Sequence, residues 1–242
     1  MKAESVSLVR NGNTLLDGIT CAFPASAVSA VIGPSGSGKT LLLRVLAGRI
    51  SPTGGTVSPT IAGRIEHYSL YPPESIRFDG SMTLHEYILQ NAADTTKESA
   101  HRIRSFSRML SLFALLNTPV SAVCDTILQK ALCVAVLSVK STAYLFDNPL
   151  TLMSPEARIE AARIFRFVST AENVPVIVAS ADINLALAVS NRYLALKNGG
   201  VYSSGQTANI GRELIENLYG ISVMFQHNVI TGNGECSLYA YV

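Results

Sequence analysis

Charge is scarce in this chain: of 242 residues, only 15% are Asp, Glu, Lys or Arg, against 48% hydrophobic. A disordered chain needs the opposite balance, so the composition demands a folded core. The length suits one large domain, or one domain with a subdomain. A mean hydropathy of +0.30 is high for a freely exposed surface and points to apolar area covered by a partner. The formal charge is only +2, which leaves no general basic footprint, and no nucleic-acid partner is expected. Arg102, Arg104 and Arg108 make one local basic cluster, read as a solvated helix face. No apolar run reaches about 18 residues, so no segment is expected to span a membrane. Residues Met1 to Gly12 lack the apolar stretch of a secretory leader. Cys21, Cys124, Cys133 and Cys236 form no C-x-x-C pair, and His67, His85, His101 and His227 have no metal-ligand spacing. There is no internal repeat.

What is present is concentrated at Gly33-Pro34-Ser35-Gly36-Ser37-Gly38-Lys39-Thr40. This octapeptide fits G-x-x-x-x-G-K-[ST], the phosphate-binding P-loop. An apolar, β-branched stretch, Ala27 to Ile32, precedes it, and leucines at helical spacing follow from Leu41 to Gly48. Strand, glycine loop and helix form the context the motif requires. The glycines let successive N–H groups cradle phosphate oxygens, and the helix start adds its positive dipole end. The expected cofactor-binding residues are Gly33, Ser35, Gly36, Ser37, Gly38, Lys39, Thr40 and Leu41. Lys39 is expected to reach the β- and γ-phosphates of ATP, and the Thr40 hydroxyl to ligate Mg²⁺. An intracellular nucleotide and unpaired cysteines together suggest a reducing cytosol and four free thiols.

The rest of the chain reads as strands alternating with helices. Val6 to Val9 and Ile19 to Phe23 are short strands around an Asn11-Gly12-Asn13 turn. Residues 51 to 60 read as a loop, and Ile61 to Tyr71 as a strand stopped by Pro72-Pro73. Met82 to Ala93, Glu98 to Leu116 and Ile127 to Val139 read as helices, suggesting a small helical subdomain at about 81–140. Ala143 to Phe146 and Val174 to Ala179 are buried strands. Ser154-Pro155-Glu156 starts the helix between them, with Ala157, Ala161, Ile164 and Val168 facing inward. Arg192 to Lys197 and Val201 to Ser203 flank the Asn198-Gly199-Gly200 turn. A helix near Arg212 to Tyr219 leads to a hairpin, Ile221 to Val229 and Cys236 to Val242, across Gly232-Asn233-Gly234. The expected fold is α/β: a P-loop NTPase core with a mostly parallel sheet, N-terminal antiparallel strands and that helical subdomain. All 242 residues form one domain on this reading, with a C-terminal helix and hairpin extension at about 206–242.

Tyr144-Leu145-Phe146-Asp147 is an apolar strand ending in an acid. An Asp there, beside a P-loop, would help Thr40 hold Mg²⁺. With these features the chain resembles the ATP-binding subunit of an ABC transporter. The resemblance is carried by Gly33 to Thr40, Leu41 to Gly48, Ser51-Pro52-Thr53-Gly54-Gly55, Asp147-Asn148-Pro149 and Ser204-Gly205. The tail Glu213-Leu214-Ile215-Glu216-Asn217-Leu218-Tyr219-Gly220 is similar to that of importer subunits for siderophores, haem or cobalamin. Nucleoside-monophosphate kinases share such a loop, but lack the Leu-rich helix ending Ala47-Gly48 and the Asp-x-Pro element. The resemblance implies a second ATP-binding subunit, identical or different, in a nucleotide-sandwich dimer. It also implies docking on membrane permease subunits, and hence a cytoplasmic protein peripheral on the inner face of the membrane.

Against that family pattern, several positions are substituted. The glutamate that polarises water would stand at Asn148, and an amide cannot accept the proton. The switch histidine would stand at Ala181. The glutamine after the strand near 61–71 falls on Leu70 or Tyr71, depending on register, and no glutamine occurs from Ser51 to Leu89. The signature segment falls on Val123-Cys124-Asp125-Thr126-Ile127, or in a shifted register uses Ser121, and has no glycine pair in either. The adenine-stacking aromatic expected near Arg10 is missing. No catalytic residue is therefore assigned. The expectation is a transport subunit that binds Mg-ATP and hydrolyses it slowly or not at all. The alternatives are an active ABC ATPase with unorthodox residues, and a nucleotide-gated interaction protein with no transport role.

Overall fold

The computed structural model describes residues 1–58, 68–71, 81–92, 96–180, 182–227 and 234–238. Its centre is a sheet in the order β5-β6-β7-β3-β8-β9. Those strands are β3 (Val28–Ile32), β5 (Tyr68–Tyr71), β6 (Ala143–Asp147), β7 (Val176–Ala179), β8 (Arg192–Lys197) and β9 (Gly200–Gln206). All neighbours pair in parallel except β8 and β9, which form an antiparallel hairpin. The buried strands read as continuous apolar runs because both faces of the sheet are covered. On one face, Val31, Leu145, Ile177 and Leu194 meet Leu42, Leu43, Val45 and Leu46 of helix α1 (Lys39–Leu46). Outside α1 lies a second, antiparallel sheet of β1 (Lys2–Arg10), β2 (Asn13–Ala22) and β4 (Gly54–Ser58). On the other face, Tyr144, Phe146, Val176 and Val178 are covered by α4 (Asp125–Ser138) and α5 (Pro155–Glu172). Behind these pack α2 (Leu84–Asn91) and α3 (Lys97–Met109). The α/β class, the mostly parallel sheet and the antiparallel N-terminal strands are as expected from sequence.

The start of α5 is as anticipated. Ser154 caps α5 through the Ala157 N–H, Pro155 occupies its first turn, and Ala157, Ala161, Ile164 and Val168 are buried. Thr83 and Glu86 form a reciprocal capping box on α2.

The differences have physical causes. Residues 51–60 were expected to be loop, yet Gly54–Ser58 is strand β4, an edge strand on β1. A Cβ on Gly55 would sit 2.3 Å from the Ser5 carbonyl oxygen, so this glycine serves close backbone approach rather than a turn. The helix expected from Glu98 to Leu116 stops at Met109. Leu112 N–H returns to Ser107 O and Ser111 N–H to Arg108 O, with Ser111 at φ 59. This is a Schellman closure with serine where glycine is usual, so the stop carries no glycine signal. Helix α6 (Ile183–Val189) was not anticipated, its start being marked only by Asp182, which accepts the Asn184 N–H.

The arginine cluster is also corrected in part. Arg102 is not solvated: it pairs with Glu172 at 2.7 Å and donates to Leu137 O and the Tyr144 hydroxyl. Arg108 lies over the Phe113 ring. At the C-terminus, α7 (Arg212–Tyr219) precedes an antiparallel pair, β10 (Val223–His227) and β11 (Gly234–Leu238). The expected turn residues Gly232 and Asn233, the strand reading over 61–67, and Ala181 lie outside the described residues. Among the described residues, no helix is long and apolar enough to cross a membrane. Cys21, Cys124 and Cys133 are free thiols; burial pushes that of Cys21 up to about 11.

Candidate functional site

Strand β3 delivers the glycine loop to the carboxyl end of the parallel sheet, where α1 begins. Gly38 is the N-cap of α1 in the left-handed region, at φ 99, with no side chain to cap the helix. Among the described residues no side chain caps the first turn of α1, which leaves its N–H groups at a positive dipole end. Gly33 and Gly38 have no room for a side chain. A Cβ would lie 2.2 Å from the Leu196 carbonyl oxygen at Gly33, and 2.7 Å from Leu16 Cδ2 at Gly38. Gly36, at φ 77, faces open space.

Ser35, Gly36, Ser37, Gly38, Lys39, Thr40 and Leu41 line one cavity of about 250 Å³, and Asn148 lines it too. Gly33, read with them from sequence, does not line it. It lies behind, where its carbonyl accepts the Lys39 ammonium at 2.7 Å. Lys39 Nζ also donates to Pro34 O at 2.8 Å. The ammonium is buried, and this desolvation lowers its pKa, while Asp147 opposes the shift. Lysine is thus held inside the loop by carbonyls that a phosphate oxygen would out-compete.

Asp147 ends β6, two strands from β3, and is 2% exposed. Its Oδ1 accepts from Asn148 Nδ2 at 3.2 Å, and its Oδ2 has no hydrogen-bond partner among the described residues. Burial raises its pKa, against the pull of the Thr40 hydroxyl, Arg44 and Lys39. A buried carboxylate oxygen without a partner, beside a threonine hydroxyl, is a donor set suited to a hard cation such as Mg²⁺.

A carboxyl with raised pKa favours the fold below its ordinary value near 3.9 and opposes it as pH rises through the raised value. Asp147→Asn is therefore expected to raise the melting temperature of the Mg²⁺-free protein by a few degrees at pH 7. The gain should shrink toward pH 4, and Mg²⁺ should no longer strengthen ATP binding. Differential scanning calorimetry across pH checks the first part, and ATP titration with and without Mg²⁺ the second.

Asn148 has φ 51 and donates its N–H to Ala179 O at 2.9 Å, prolonging the β6–β7 ladder. Asparagine tolerates this left-handed conformation better than glutamate, at a difference of about 1 kcal/mol. Of the other positions singled out, Cys124 is the N-cap of α4 and Asp125 opens its first turn, both exposed. Thr126 Oγ1 donates to Leu152 O and accepts the Ser154 N–H, tying the start of α4 to the segment after Asp147. Leu70 and Tyr71 end β5, and Arg10 ends β1 on the surface. The sequence reading missed Tyr219, whose hydroxyl accepts the Gly33 N–H at 3.1 Å; its place in the tail motif was the available signal.

Comparison with known proteins gives the family and the fold. The phosphonates import ATP-binding protein PhnC 2 of Rhodopseudomonas palustris is 25% identical over 232 residues, covering 88% of this chain and 82% of that protein. The hemin import ATP-binding protein HmuV of the same organism is 25% identical over 249 residues, covering 95% and 91%. The ferric enterobactin transport ATP-binding protein FepC of Escherichia coli is 22% identical over 249 residues, covering 96% and 91%. Among solved structures, a metal-chelate-type ABC transporter in an inward-facing conformation superposes with a TM-score of 0.82 at 16% identity, over 99% of this chain and 96% of that one. At such identity the likeness speaks for the fold. A family model described as ABC transporter matches residues 16–151, more than half of the chain, from β2 through the P-loop to beyond Asp147. A match of that extent shows the family: this chain belongs to the ABC transporters.

Proposed function

We propose that the chain is the ATP-binding subunit of an ABC import complex that binds Mg-ATP and turns it over slowly or not at all. The observation that carries this is the P-loop cavity with Asn148 on its wall. Holding the phosphates and Mg²⁺ needs only parts the chain has. The N–H groups from Ser35 to Leu41 and the start of α1 would hold the phosphates, and Lys39 would exchange the Gly33 and Pro34 carbonyls for their oxygens. Thr40 and Asp147 would hold Mg²⁺, which when bound supplies charge neutralisation at the phosphates.

Turnover needs a proton acceptor for water. The Asn148 carboxamide can orient water but cannot take its proton, and a lost general base costs about 10²–10⁴-fold in rate. Its Nδ2 is already turned to Asp147, and its left-handed backbone suits asparagine. The exposed N-terminus of α4, with Cys124 and Asp125, would offer a partner's nucleotide a carboxylate where phosphate demands donors.

The helices between 84 and 138 are read as a helical subdomain, and α7 with β10 and β11 as a C-terminal extension. The inferred partners are membrane permease subunits and a second ATP-binding subunit, and the inferred location is the cytoplasmic face of the membrane. The relatives named for hemin and ferric enterobactin, together with the tail motif, support a metal chelate as cargo. The test is phosphate release from Mg-ATP by the chain purified with its companion subunits. The rate should stay close to that of a Lys39→Ala control, at least about 10²-fold below that of an enzyme with a general base. Turnover far above the control would make this a working ATPase and overturn the reading of Asn148.

A further inference from the structure

We propose that Tyr219 is a positioning residue for the P-loop, through which the C-terminal helix α7 sets the affinity for nucleotide; this rests on the Mg-ATP binding proposed above. Gly33 is buried, and β3 ends one residue before it, so its N–H has left the sheet ladder. The phenol of Tyr219 supplies the acceptor, with Oη 3.1 Å from Gly33 N. The same glycine carries on its carbonyl the Lys39 ammonium. Gly33 thus joins Lys39 to Tyr219, which lies 186 positions after Gly33 in sequence.

The contact is built, not incidental. Ile215 and Leu218 of α7 are buried against Ala30 and Ile32 of β3 and Ala195 of β8, with Tyr219 packed on the same cluster. Lys197 at the end of β8 donates to Asn217 O. Gly220, at φ 69, closes the helix directly after the tyrosine, and its N–H returns to Glu216 O. Glu216 in turn accepts the Val223 N–H, which couples α7 to β10. The segment from Glu213 to Gly220 is therefore a strut from the C-terminal hairpin to the first glycine of the loop.

Without the hydroxyl, a buried N–H loses its partner at a loop whose lysine must be placed within ångströms of phosphate. Tyr219→Phe keeps the ring and its packing. It should weaken binding of a fluorescent ATP analogue with Mg²⁺ about tenfold. Hydrogen exchange in a peptide spanning residues 30–40 should quicken to a similar degree in the nucleotide-free chain. Leu214→Ala serves as the packing control: it trims a partly buried side chain at the edge of the cluster but leaves the anchors Ile215 and Leu218 and the Tyr219 hydroxyl in place, and should lower the melting temperature while leaving affinity within about twofold. Unchanged affinity in Tyr219→Phe, with wild type binding normally, overturns this inference and leaves ATP binding standing. An equal loss in Leu214→Ala reduces Tyr219 to packing and overturns it as well. A wild-type chain that binds no Mg-ATP, yet shows slow exchange at 30–40, brings down the nucleotide reading and this inference with it.

Discussion

Lys39→Ala should weaken Mg-ATP binding at least about 100-fold while the chain stays folded. The first half follows from charge: the lysine is the loop's cation, and charge-assisted hydrogen bonds contribute about 1.5–3 kcal/mol each. Two such bonds to phosphate correspond to roughly 3 kcal/mol or more, which is two decades or more in affinity. The second half follows from the ligand-free geometry. Lys39 Nζ is buried, and burial works against its charged form. Alanine gives up the bonds to Gly33 O and Pro34 O but also removes that desolvation, so the two terms largely offset. Isothermal titration with Mg-ATP reads the first effect, and circular dichroism melting the second. Asn148→Ala should retain wild-type affinity, because Asn148 touches the cavity without supplying charge. Equal binding by wild type and Lys39→Ala would remove the P-loop from the account.

Gly33→Ala is expected to be the most damaging single substitution in the loop. Its φ of 146 is a conformation L-residues rarely adopt, and the new Cβ would meet a backbone oxygen, that of Leu196, at 2.2 Å. Leu196 is in β8, paired with β9 and buried, so it has nowhere to retreat. Strain plus displacement of the Tyr219 and Lys39 bonds should cost about 3–5 kcal/mol, at the far end of single-residue effects. In a domain of this length that lowers the melting temperature by about 10 °C. Gly36→Ala is the internal comparison: with nothing within 4 Å of its Cβ, it bears only the left-handed penalty of about 1–2 kcal/mol. Calorimetry on the pair decides the point; similar losses would mean that the packing of β3 on β8 does not constrain the loop.

Much of this was legible in the sequence because it is local. The P-loop spacing, the apolar run before it and the Leu-rich helix after it are properties of contiguous residues, and they are where they were read. The Ser154-Pro155-Glu156 start of α5 needs only its own first turn. Asp147 was marked by ending an apolar strand, and Asn148 by standing next to it. Legibility failed where the deciding partner was distant. β4 is a strand only because β1 offers an edge to a Gly-Gly segment that alone reads as loop. The stop after Met109 uses Ser111 in a glycine's conformation, driven by the burial of Leu110 and Leu112 on either side. Arg102 looks like surface charge until α3, α4, β6 and α5 meet around it.

What the sequence determined by itself was the side chains available: a glycine-rich loop, a lysine, a threonine, a strand-end aspartate, and an amide directly after it. Side-chain chemistry is intrinsic to a residue, and short-range spacing survives any packing. What only the tertiary structure decided was how those groups are held. It left one oxygen of Asp147 without a hydrogen-bond partner among the described residues, set Asn148 on the cavity wall, and bound Gly33 to a tyrosine near the other end of the chain. Those contacts span the chain, and their geometry is settled only when the buried faces of β3, β6 and α7 find one shared core.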